Sequence, residues 1–217
     1  MTMKSLKPSQ SIIRVFSPLF RIHAHHLIYL GYLDARPKMK SGDDETSITG
    51  YITEAIQNRL EAPDPPRWYK QYSVHDDPPI PTKGRTGRAR LRVDIIIEAT
   101  NWEGRPKYCF EAKRLRRKGF PVSKYVDVDG MGCFVNGLYA SRYPEAAMLG
   151  YIQSDSVEYW REKVKSEIDK KTEILHLKSS QQDVKIIEAF PIEWSSEHDR
   201  MNIGHPITIY HILLDCC

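Results

Sequence analysis

The residues of this chain best suited to chemistry are two carboxylates and a lysine. Asp94 closes the tripeptide R-V-D, sixteen residues intervene, and E-A-K then supplies Glu111 and Lys113. Asp94 interrupts the apolar run V-D-I-I-I, and Glu111 and Lys113 interrupt C-F-E-A-K. A charge among apolar neighbours must be desolvated, so carboxylates converging with an ammonium make a costly core but a suitable cradle for a divalent cation. Mg²⁺ takes carboxylate oxygen, backbone carbonyl and water, which makes Asp94, Glu111 and the Ala112 carbonyl the expected ligands. Water on such an ion has a lowered pKa and attacks phosphorus, while the ion offsets charge growing on the phosphate. Lys113 beside it would orient or deprotonate that water and offset phosphate charge.

These residues need elements to bring them together. Leu91 to Ala99 and Lys107 to Leu115 are β-rich, and T-N-W-E-G-R-P between them holds the Asn, Gly and Pro of a hairpin connection. Antiparallel pairing would bring Asp94 beside Glu111 and Lys113, which are two apart on a strand and so share a face. Upstream, Asp43 or Asp44 reads as the N-cap of a helix that runs to Leu60 and is ended by Pro63. At 100° per residue Ile48, Ile52, Ile56 and Leu60 share one side, with Glu45 in the same arc and Glu54 opposite. A carboxylate on a buried stripe needs a partner, although Glu45 also suits the positive end of a helix dipole.

This succession resembles the PD-(D/E)xK nuclease superfamily, whose core is a helix, a three-stranded meander, a helix and a further strand. Asp94 matches the family aspartate, Glu111 the second acidic position, Lys113 the lysine, and Glu45 the acidic residue that many members carry on the first helix. Val93 stands where the name-giving proline would be. The resemblance spans roughly Asp43 to Ile152 and does not single out a subfamily. It implies an α/β fold with a restriction-endonuclease-like mixed sheet flanked by helices. It also implies a Mg²⁺-dependent endonuclease, with Mn²⁺ able to substitute, that hydrolyses phosphodiester bonds of DNA, RNA being left open. In that reading Asp94, Glu111 and Ala112 bind metal, Lys113 positions the water, and Glu45 assists through a water or a second metal. By analogy the setting is prokaryotic defence, as a restriction or anti-phage nuclease.

The charge total of 32 Lys and Arg against 28 Asp and Glu does not mark a nucleic-acid binder, but its distribution is informative. K-G-R-T-G-R-A-R-L-R precedes Asp94 and K-R-L-R-R-K begins at Lys113, each without an acidic residue. Arg88, Arg90, Arg92, Arg114, Arg116 and Arg117 are therefore candidates to grip phosphates outside the metal site, the alternative being a solvated strand end. With no zinc finger or clear helix-turn-helix, substrate would be read by loops of the same domain or through a partner. Cutting both strands needs two opposed sites, so a homodimer or a multi-protein complex is expected. The rival reading is a catalytically silent nucleic-acid-binding or partner-docking subunit of a defence or repair complex.

The remaining features are quieter. The chain has 217 residues, 41% hydrophobic and 28% charged, which suits a single domain over 1–217 with 1–42 as a helical N-terminal extension. Neither a secretory leader nor a membrane span is read, so a cytoplasmic location without membrane attachment is expected. Cys109, Cys133, Cys216 and Cys217 read as reduced thiols. H-A-H-H at His23 to His26 reads as packing or polar surface, and His211 as a satisfied core or edge residue. Gly84 and Gly87 lack a phosphate-loop ending, whereas Gly130, Gly132 and Gly137 suggest close packing or a kink. Ser11 to Leu33 is expected as a helix or helix pair stopped near Gly31, and Pro-rich Glu61 to Lys83 as an ordered loop. Further on, Val122 to Tyr139 is expected as an interrupted helix, Ala146 to Ile152 as a strand and Ser154 to Lys171 as an amphipathic helix. Lys185 to Phe190 and Ile207 to Leu214 are expected as strands, the last covered by the domain or by a partner.

Overall fold

The computed structural model describes residues 18–81 and 84–217. Helices α1 (Pro18–Ala35) and α2 (Glu45–Leu60) come first, followed by strands β1 (Tyr72–Asp76), β2 (Ile95–Ala99) and β3 (Lys107–Leu115). Short helices α3 (Ser123–Val126) and α4 (Met131–Val135) lead to β4 (Glu145–Ile152) and then to α5 (Val157–Lys170). Strands β5 (Gln182–Val184), β6 (Glu193–His198) and β7 (Ile207–Asp215) complete the order. The strands form one mixed sheet in the order β1-β2-β3-β4-β7-β6-β5. Its centre, β3-β4-β7, is parallel, and both flanks are antiparallel.

Helices cover both faces, which is why the central strands read as nearly continuous apolar runs. On one face Phe20, Leu27 and Ile28 of α1 and Ile48, Ile52 and Ile56 of α2 pack with Ile95, Ile97, Phe110 and Leu149. On the other, Tyr125, Phe134, Trp160 and Val164 pack with Val93, Ile96, Leu115, Met148 and Leu213. Strand β7, the apolar segment read as needing cover, lies between β4 and β6. Among the described residues no helix is long and apolar enough to cross a membrane.

The hairpin pairs as expected, with Ile95 opposite Phe110, and Asp44 caps α2 by accepting from the Ser47 N–H at 2.7 Å. Other expectations change. Helix α1 does not stop at Gly31, because a Cβ there would lie 2.5 Å from Ile56 Cγ1: the glycine lets α1 approach α2. Through α1, the described part of the expected 1–42 extension contributes to a core shared with the sheet. The Pro-rich segment holds strand β1, whose flanking prolines suit an edge position. The expected helix from Val122 to Tyr139 is two short helices, and a Cβ on Gly130 would meet the Tyr125 carbonyl oxygen at 2.3 Å. Lys185 to Phe190 is no strand. The Ile186 and Ile187 N–H groups donate to the Glu193 carboxylate at 2.9 and 3.2 Å instead of to a ladder partner. Strand β6, E-W-S-S-E-H, escapes sequence reading because its polar residues are buried and bonded. Residues 11–17 of the first helix expectation, the leader reading at the N-terminus and Lys83 of the first basic block lie outside the described residues.

Candidate active site

Strand β3 continues past the start of β2, and this overhang builds the site. The ladder ends with Ile95 opposite Phe110, so the next N–H groups of β3 on that side have no strand to receive them. Side chains take over: Asp94 Oδ2 accepts from the Ala112 N–H at 2.7 Å, and Glu45 Oε2 accepts from the Arg114 N–H at 3.0 Å. Two carboxylates thus replace a missing strand partner, and the requirement that backbone groups be satisfied fixes where they sit. Asp94 is held from its other side as well, its carbonyl receiving the Asp77 N–H at 2.9 Å.

Lys113 lies among these groups. Its Nζ donates to Glu111 Oε1 at 2.7 Å, Glu45 Oε1 at 3.2 Å and the Ala112 carbonyl at 2.7 Å. The Glu111 side chain is only 6% exposed, and its other oxygen, Oε2, is buried with no hydrogen-bond partner. Burial pushes the Asp94 carboxyl up, against the opposing pull of the Ala112 N–H and the Lys113 charge. Burial, and then the charge of Asp94, push Glu111 well above the ordinary carboxylate range. For Lys113 burial opposes the charge, yet Glu111 and Glu45 outweigh it and the ammonium is held more firmly than usual. Three carboxylates face one ammonium. The direction that follows is a protonated lysine beside an acidic pair reluctant to carry its full charge.

That surplus of acceptors is what a hard cation requires. Among the described residues no group of three or more His, Cys, Asp or Glu side chains is arranged to hold a metal ion. The donor set is smaller: the Asp94 carboxylate and the orphaned Glu111 oxygen, with the Ala112 carbonyl engaged by Lys113. Two carboxylates completed by water fit Mg²⁺, which keeps several of its waters.

The structure adds supports that the sequence did not reveal. Tyr139 donates its hydroxyl to the Arg92 carbonyl at 2.5 Å, fixing the segment that carries Asp94. Cys133 lines the same wall, its thiol pushed up to about 12 by burial and then by the Glu111 charge. Gln153, just after β4, donates to the Asp43 carbonyl at 2.6 Å at the entrance to α2. Each acts across the fold, so no local pattern could have marked it.

The basic residues divide. Arg114 turns inward, its guanidinium 3.5 Å from the Phe120 ring centroid and donating to the Asp43 carbonyl at 3.0 Å. Arg92 is paired with Asp77, and Arg117 with Asp155. Arg88 and Arg116 are exposed on the segments that lead into Asp94 and out of Lys113, and Arg90 is half-buried. Elsewhere His23 stacks on Trp68 at 4.3 Å and His25 is bonded to Glu193 and Tyr108, so the H-A-H-H segment packs, as expected. All four cysteines are free thiols. No protein-family model matches this chain, and comparison with curated proteins and with solved structures gives no match.

Proposed function

We propose that this chain is a Mg²⁺-dependent nuclease of the PD-(D/E)xK kind, with a restriction-endonuclease-like sheet, hydrolysing phosphodiester bonds of DNA. The observation that carries the reading is the buried, unpartnered Glu111 oxygen in a cluster where Asp94, Glu45 and Lys113 also meet. Asp94 and Glu111 are buried close together and burial raises both, and a divalent cation would relieve the repulsion that a single ammonium leaves between them. Asp94 and Glu111 are the residues that would hold the ion. When bound, Mg²⁺ supplies a water of lowered pKa and offsets charge on the phosphate.

The chain's own groups have distinct tasks. Asp94 is oriented by the Ala112 N–H and Glu111 by Lys113, so neither carboxylate is free to swing. Lys113, kept as an ammonium by its acidic neighbours, orients the attacking water and neutralises phosphate charge; proton abstraction is the weaker of the two roles expected of it. Glu45 holds Lys113 in place from the helix side. Arg88 and Arg116 provide exposed positive charge on both sides for the flanking phosphates, with the half-buried Arg90 between Arg88 and Asp94. Arg114, which braces Asp43, is better assigned to the scaffold than to the substrate.

The test is incubation of the purified chain with plasmid, single-stranded DNA and RNA in Mg²⁺, Mn²⁺ or chelator. Cleavage that needs metal and fails in Asp94→Asn supports the proposal, and the three substrates separate DNA from RNA. Binding without cutting would favour a silent nucleic-acid-binding module, and cutting that survives chelation would overturn the assignment.

A further inference from the structure

Two buried side-chain atoms among the described residues have no hydrogen-bond partner: Glu111 Oε2 and Gln153 Oε1. Gln153 is 3% exposed and sits directly after β4, its main-chain N–H donating to the Leu115 carbonyl at 2.9 Å. The end of the central β3-β4 ladder therefore holds it rigidly. Its Nε2 donates to the Asp43 carbonyl at 2.6 Å, and Arg114 Nη1 donates to the same oxygen at 3.0 Å. One carbonyl thus has both lone pairs engaged, by groups from the ends of two central strands. Asp43 precedes the N-cap Asp44, and Glu45 is the first residue of α2. What grips Asp43 sets the first turn of α2.

The orphaned Oε1 makes Gln153 an expensive choice for stability. A buried acceptor without a donor costs about 1–3 kcal/mol, and an apolar side chain of similar size would avoid that. The Asp43 carbonyl would still keep Arg114 as a donor. Folding alone therefore does not call for the amide at this position. Building on the nuclease reading above, we propose that Gln153 is a positioning residue. Its amide holds the Asp43 carbonyl so that Glu45 stays seated on the Lys113 ammonium and the Arg114 N–H.

Hydrogen exchange at the Arg114 amide reports that seating without any assay of activity, because Glu45 Oε2 is its acceptor. The Ala112 amide, bonded to Asp94, serves as the internal control. Gln153→Leu, with Gln153→Met as a second variant, is expected to speed Arg114 exchange about tenfold. Ala112 exchange should stay unchanged and the thermal midpoint equal or higher. In Mg²⁺ cleavage assays kcat should fall about tenfold at constant KM. The change should add nothing in a Glu45→Gln background, as for two residues acting through one contact. Unchanged Arg114 exchange, additivity with Glu45→Gln, or faster exchange throughout β3 with a lowered midpoint would each overturn the proposal. Faster Arg114 exchange in a chain whose wild type never cuts would uphold the clamp and overturn the nuclease reading.

Discussion

Two of the buried polar clusters among the described residues differ in how completely they satisfy themselves. Near the β6-β7 pair, His198 Nδ1 meets the Leu175 carbonyl at 2.7 Å and its Nε2 meets Ser196 Oγ at 2.7 Å. Ser196 Oγ meets His211 Nε2 at 2.9 Å, and His211 Nδ1 meets the Tyr125 hydroxyl at 3.1 Å. The Leu175 carbonyl can only accept, which puts a proton on His198 Nδ1 and fixes every later choice. Tyr125 donates to His211, His211 to Ser196, Ser196 to His198 and His198 to Leu175. All four ring nitrogens are used with both histidines neutral, and Trp194 stacks on His211 at 4.7 Å. The cluster around Glu111 has instead a surplus of negative groups and an acceptor without a donor. Burial of polar side chains by itself therefore does not mark a functional site. The mark is a deficit that the fold leaves for something else to supply.

Substitutions sharpen the contrast, and the largest effect belongs to the carboxylates. Asp94→Asn or Glu111→Gln should lower metal-dependent cleavage by about 10³-fold, while circular dichroism and gel filtration report an intact fold. Ser196→Ala, read in the same assay well below its melting point, should cut at the wild-type rate. Equal losses from both clusters would erase the distinction.

Acidity should separate the clusters next, with opposite signs. Burial lowers His198 from 6.5 to about 4 and holds His211 well below 6.5. Between those limits the unfolded chain takes up protons that the folded chain refuses, so stability falls as pH drops through that window. For His198 alone the loss by pH 4 is on the order of 3 kcal/mol. Asp94 and Glu111 are raised from 3.8 and 4.5, so the folded chain holds protons that the unfolded chain releases. Their contribution is present at low pH and is lost as pH rises through the folded values. In urea unfolding from pH 4 upward the two contributions oppose each other. Glu111→Gln should remove part of the one that falls with rising pH, a fall that begins at the unfolded value of 4.5, while leaving the histidine contribution in place.

Smaller effects come from removing one atom's worth of satisfaction or strain. Ser196→Ala deprives both His198 Nε2 and His211 Nε2 of a partner and should cost about 2 kcal/mol in denaturant unfolding. Glu111→Gln removes the repulsion between the Glu111 and Asp94 carboxylates and should stabilise the metal-free chain by about 1 kcal/mol where both are ionised. Destabilisation by Glu111→Gln would mean that the cluster is a structural ion pair after all. The mildest test is Arg88→Gln with Arg116→Gln. It should flatten the salt dependence of DNA binding by roughly one unit of slope per lost phosphate contact, and an unchanged slope would return both arginines to plain surface.

Much of the candidate site is legible along the chain because its parts are local. The period of two on β3 puts Glu111 and Lys113 together, and the hairpin brings Asp94 to them. The period of α2 puts Glu45 on the buried side with Ile48 and Ile52, and the structure gives it the partner that such a position demands. What only the tertiary structure decided concerns groups distant in sequence. Arg114 looks like its basic neighbours until Phe120 and the Asp43 carbonyl draw it inward. Strand β6 looks like polar loop until β5 and β7 pair with it and His25, His211 and Leu175 bond its side chains. Gln153 meets Asp43 across 110 positions of chain. Hydrophobic period and turn chemistry act over a few residues and can be read from order alone. The partner of a buried polar group is chosen by the whole packed sheet, and a one-dimensional pattern carries no record of it.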